Sequence, residues 1–90
     1  MLVLPEKLTH DEAPACAEVL RQGLVAEAAS ATVVDAGALA KFDSSALAVL
    51  LECRRQAHVL GRSFSVKGLP PRLRALASLY GVAGLLPAAP

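Results

Sequence analysis

Apolar and polar positions divide the chain into three helical and three extended stretches, and one stretch dominates. Residues 42–61 read FDSSALAVLLECRRQAHVLG. Asp43, Ser44 and Ser45 can each offer a side-chain oxygen to the unpaired amides of a first helical turn. Gly61 can take the left-handed conformation that ends a helix. At about 100° per residue, Ala46, Val49, Leu50, Cys53, Ala57 and Leu60 form a core-facing stripe. Leu47, Ala48, Leu51 and Val59 fall off that stripe, among Ser44, Arg54, Arg55 and His58. A helix with a second apolar side is either buried all round or covered by a partner. Complete burial is hard to arrange in a small domain, although scattered surface leucines are also ordinary.

The remaining stretches arrange themselves around this helix. Met1 to Leu4 predicts a short strand cut off by Pro5. Thr9, His10 and Asp11 offer a helix start, with Glu12 and Pro14 suited to the first turn. Ala13, Cys16, Ala17, Leu20 and Leu24 repeat at helical spacing, predicting a covering helix that ends near Ala28. Thr32-Val33-Val34-Asp35-Ala36 is β-branched without alternation, as in an interior strand covered on both faces. Ser63-Phe64-Ser65-Val66-Lys67 alternates, so Phe64 and Val66 face in. Gly68, Pro70 and Pro71 turn the chain into a third helix. Its inner face carries Leu73, Leu76, Ala77 and Tyr80, and Gly81 stops it. Val82, Leu85 and Leu86 form a last apolar patch, a weak candidate for lipid contact. The order β-α-β-α-β-α predicts an α/β domain over residues 1–87, with helices against a small sheet and a loose tail at 88–90.

Composition narrows the function. The chain has 90 residues, 54% of them hydrophobic but only 3% aromatic, so the core is built from Ala, Leu and Val. Such a core gives modest stability, which makes a partner or a dimer more plausible. The formal net charge is +1, and no basic patch with interleaved aromatics points to nucleic acid. No apolar run approaches the roughly 20 residues that span a bilayer, and the N-terminus lacks signal-peptide character. The expected compartment is the cytoplasm. Cys16 and Cys53, far apart on apolar helical faces, read as free thiols acting as small apolar residues.

Catalytic signatures are missing. There is no G-x-G-x-x-G, P-loop or G-x-S-x-G pattern, and His10 and His58 lack metal-ligand spacing with the cysteines. No cofactor or metal is expected, and no enzyme activity. Asp35 reads as a strand-end residue binding backbone amides. Asp43-Ser44-Ser45 remains open to two readings. Helix capping explains the residue types. A hydroxyl switch explains the position, because phosphate there would put about two negative charges beside Asp43 and the second apolar side.

D-S-S-A-L-A-V-L-L, after T-V-V-D and before F-S-V-K-G, resembles the STAS domain, the fold of bacterial anti-sigma factor antagonists. There D-S-S-G-L-G occupies the same place. LVLPEKLTHDEA at the start and LASLYGVAGLLP at the end look like the small STAS subunit (MlaB-like) of the lipid-asymmetry ABC transporter. The resemblance implies a small mixed sheet with helices packed against it. It also implies a non-catalytic cytoplasmic subunit, peripheral to the inner membrane, that binds and supports the ATPase of a phospholipid transporter. Carried onto this chain, the interface would use Asp43, Ser44, Leu47, Ala48, Leu51 and Arg55, with Arg54 and Arg55 pairing with carboxylates at the rim. In the antagonist branch, Ser44 would be the phosphorylated residue. Two departures stand out. Ala46 replaces the usual glycine, which bears on close backbone approach. The usual first strand is missing before Leu2, which would leave an open sheet edge and invite a homodimer or strand exchange in the isolated protein.

Overall fold

A computed structural model describes residues 1–27 and 29–90. The strands are β1 (Leu2–Val3), β2 (Lys7–Leu8), β3 (Ala31–Asp35), β4 (Lys41–Phe42) and β5 (Ser63–Lys67). The helices are α1 (Ala13–Ala26), α2 (Ser45–Val59) and α3 (Pro71–Leu79), followed by a 3₁₀ turn at Ala83–Leu85. The main sheet has the order β1-β3-β5 with parallel pairs. Parallel neighbours require crossovers, and the helical stretches supply them. The expected end of α1 near Ala28 lies outside the described residues; within them the helix ends at Ala26.

Register explains which side is oily. Leu2 pairs with Val34, Thr32 with Phe64, and Val34 with Val66. These residues are all buried, and Leu2, Val34, Phe64 and Val66 form one cluster with Leu20 and Leu24 of α1, six residues of α2, and Leu73 and Ala77 of α3. All three helices therefore serve the same face. That corrects the expectation of a strand covered on both sides: opposite the helices, Val3 is 59% exposed and Val33 and Ser65 are only half-buried. α1 packs closely on β1 at Gly23, where an added Cβ would stand 2.5 Å from Leu2 Cδ2 and would turn that side chain aside. Beside the cluster, Thr32 is fully buried and its hydroxyl has no hydrogen-bond partner among the described residues.

Two local expectations change at helix ends and one at the C-terminus. Leu60 is 48% exposed and Tyr80 is 58% exposed, so neither joins the core. Each is the capping residue just past its helix, where the backbone has left helical geometry and a wheel angle no longer holds. The glycines that follow, Gly61 and Gly81, take φ of 72° and 73° and end the helices as expected. At the C-terminus, the Val66 amide donates to the Pro87 carbonyl at 2.8 Å, and the Ala89 amide donates to the Val66 carbonyl at 2.9 Å. The expected loose tail is thus tied to β5 at residues 88 and 89.

The sequence pattern does not announce β2 and β4, which pair in parallel as a separate two-stranded ribbon. The amides of Ala40 and Lys41 both donate to the Glu6 carbonyl, at 2.8 and 3.0 Å. This ribbon fixes the loop before α1 against the loop before α2, and so holds the start of the central helix in place.

Candidate partner-docking site

The first turn of α2 shows which of three possible oxygens does the capping. Asp43 Oδ1 accepts the Ser45 amide at 2.8 Å, and its Oδ2 accepts the His10 amide at 3.1 Å. The Ser45 amide is the main reason that the Asp43 carboxyl titrates below its ordinary value, and the His10 amide adds to this. Asp43 is therefore an anionic cap bound from two segments. Ser44, the residue at the N-cap position, makes no side-chain capping bond and is exposed. Its hydroxyl is left facing outward. Among the described residues, no base hydrogen-bonds to it.

From Ser44 the spacing i, i+4, i+7, i+11 runs through Ala48, Leu51 and Arg55, a single ridge along the helix. Ser44, Ala48 and Arg55 are exposed, and Leu51 is half-buried with its inner part against the core. Arg55 is forked onto Glu52 one turn back, with Nε donating at 2.9 Å. That contact pulls the Glu52 carboxyl down to about 2. Leu47 does not belong to the ridge. It is 3% exposed and part of the core, so its expected place on a partner face is corrected. The covered arc of α2 is wider than one stripe, because α1 packs along one flank and α3 adds Leu73 and Ala77 to the same cluster.

The pattern did not reveal a groove beside the ridge. Phe42, Asp43, Arg72, Ala75, Leu76 and Leu79 line a space of about 340 Å³ between the start of α2 and α3. The Arg72 guanidinium lies over the Phe42 ring, 4.9 Å from its centroid, a cation–π geometry. Leu79 is 77% exposed. One signal was present: Leu79 falls off the inner stripe of α3 just as Leu51 falls off that of α2.

The arrangement has no catalytic grouping among the described residues and is a candidate surface for docking. It offers an exposed hydroxyl and a small residue on a ridge, next to an apolar groove with one positioned cation. Cys53, on the buried side of the same helix, is sealed. Burial, with smaller contributions from Cys16 and Glu52, pushes its thiol up to about 11, and both cysteines are free. No helix among the described residues is long and apolar enough to cross a membrane.

The fold is that of a STAS-like domain. The family model for the STAS domain of the Mlab type matches residues 1–87, and the chain belongs to that family. No curated protein matches the chain at a significant level.

Proposed function

We propose that this chain is a non-catalytic subunit that binds and supports the ATPase of a phospholipid-transporting ABC complex, the assembly that maintains lipid asymmetry of the outer membrane. It would act in the cytoplasm, held at the inner membrane through the complex. The observation that carries the reading is the exposed ridge Ser44-Ala48-Leu51-Arg55, which starts at a hydroxyl the fold does not use. Membership of the Mlab-type family supports the choice of partner. Asp43 fits as the group that sets the first turn of α2, and Leu47 as core support beneath the ridge.

The test is co-purification with the ATPase subunit. Ala48 is exposed in the middle of the ridge, so Ala48→Glu adds bulk and charge at a helical position without opening the core. It should remove the ATPase from the purified complex and leave the melting temperature unchanged. Retention of the ATPase at wild-type levels would overturn the reading.

The free Ser44 hydroxyl also supports a second reading, an anti-sigma factor antagonist switched by phosphorylation of that residue. Phosphate would meet the carboxylate of Asp43 on one side and the positive end of α2 on the other. Incubation with ATP and the cognate kinase decides between the two: stoichiometric phosphate on Ser44, absent from Ser44→Ala, favours the switch.

A further inference from the structure

Charge is divided unequally along the chain. All eight Asp and Glu residues lie at or before Glu52, whereas Arg54, Arg55, Arg62, Lys67, Arg72 and Arg74 follow with no acidic residue among them. Of these six, Arg55 alone forms an ion pair among the described residues. Arg62 is occupied with the Leu24 carbonyl. Arg72 has no carboxylate and stands over Phe42 at the wall of the groove that Leu76 and Leu79 also line.

Resting on the proposed binding of the ATPase subunit, we infer that this groove receives an acidic, apolar segment of that subunit. Arg72 takes a carboxylate and Leu79 takes an apolar side chain. A guanidinium is a planar fork that matches a carboxylate with two hydrogen bonds. The Phe42 ring restricts Arg72 before anything binds, so less freedom is lost when the fork is filled. Arg72 and Leu79 are seven residues apart on one helix, about 10 Å at 1.5 Å per residue. A complementary helix would therefore carry its carboxylate and its apolar anchor about two turns apart. Asp43 lines the same groove, but its two oxygens are held by the Ser45 and His10 amides, which offset its charge. One positioned guanidinium over an apolar floor, with a carboxylate in the wall, suits a shaped polypeptide better than the diffuse charge of an anionic bilayer.

Calorimetric titration with the purified ATPase subunit, at low and high salt, tests this. Arg72→Glu should weaken binding by about tenfold or more and flatten the salt dependence. Arg72→Lys, which keeps the charge but loses the fork, should fall between. Arg74→Glu is the control: Arg74 is exposed, lies about 200° further round α3 and does not line the groove. It should stay within about twofold of wild type. Circular dichroism of each variant confirms the fold. Wild-type affinity in Arg72→Glu, or an equal loss in Arg74→Glu, overturns the inference while leaving the partner intact. Failure of the wild type to bind the subunit removes the functional reading and this inference together. Sedimentation of the wild type with phosphatidylglycerol vesicles, abolished by Arg72→Glu, would make a lipid surface the occupant and also overturn it.

Discussion

Leu47 and Leu79 separate core from surface, and truncating each to alanine gives opposite outcomes. Leu47 is 3% exposed inside the single core cluster. Removing its three outer carbons loses their transfer free energy and leaves a cavity, a cost of about 2–5 kcal/mol. A domain of this size holds only about 5–13 kcal/mol in total, so the melting temperature should fall by roughly 10 °C or more. Leu79 is 77% exposed, and its truncation should change stability by no more than about 0.5 kcal/mol. Binding reverses the order. Full coverage of a leucine contributes about 1.5–3 kcal/mol, and roughly three-quarters of that side chain is still uncovered in the free chain. Leu79→Ala should therefore weaken affinity for the ATPase subunit by about seven- to fortyfold. Leu47→Ala, measured below its melting temperature, should bind near wild type. Thermal denaturation and calorimetric titration on the same samples give both readouts. If Leu79→Ala melts as low as Leu47→Ala, the groove is closed core; if it binds as wild type, the groove is not part of the interface.

Three further outcomes follow from single groups. Thr32→Val removes a buried hydroxyl that has no partner among the described residues and keeps the β-branched shape. It should raise stability in urea by about 1–2 kcal/mol, whereas Thr32→Ser, which keeps the hydroxyl and loses the methyl, should lower it; a loss in Thr32→Val would refute the reasoning. A thiol reagent at neutral pH should modify half-buried Cys16 ahead of Cys53, whose thiol is pushed up to about 11, and both should react at once only in denaturant. Rapid labelling of Cys53 in the native chain would count against its burial. Glu52 has a folded-state carboxyl lowered from 4.5 to about 2, chiefly by Arg55, so the pair's contribution is fully present above 4.5 and is lost as pH falls through 2. The difference in melting temperature between wild type and Arg55→Gln should shrink over that interval, and a gap that widens in acid would reverse the sign of the linkage.

What could be read from the residues was what depends on neighbours in sequence. Alternation placed Phe64 and Val66 inward on β5, and the stops at Gly61 and Gly81 needed only their left-handed φ. A wheel assigns an angle to Leu47 and Leu51 but says nothing about how wide an arc the neighbouring elements cover. Leu47 was therefore placed outside, when it is in fact buried in the core cluster. The α/β architecture was legible for the same local reasons, while β2 and β4, at two residues each, are too short to carry a period and exist through bonds between distant segments.

The same distinction governs the site. Asp43, Ser44 and Ser45 are interchangeable as caps by residue type, and nothing local decides among them. The decision is made by the β2–β4 ribbon, which brings the His10 amide across to Asp43 while Asp43 also accepts the Ser45 amide. A carboxylate accepts both amides at once, whereas a hydroxyl in its place would leave the His10 contact weaker and uncharged. Once Asp43 holds both, Ser44 is excused from capping and its hydroxyl is presented to whatever lies above the ridge. Arg72 reaches Phe42 across thirty residues by the same kind of long-range closure. The proposed docking surface is therefore a product of tertiary contacts that free one side chain and restrain another.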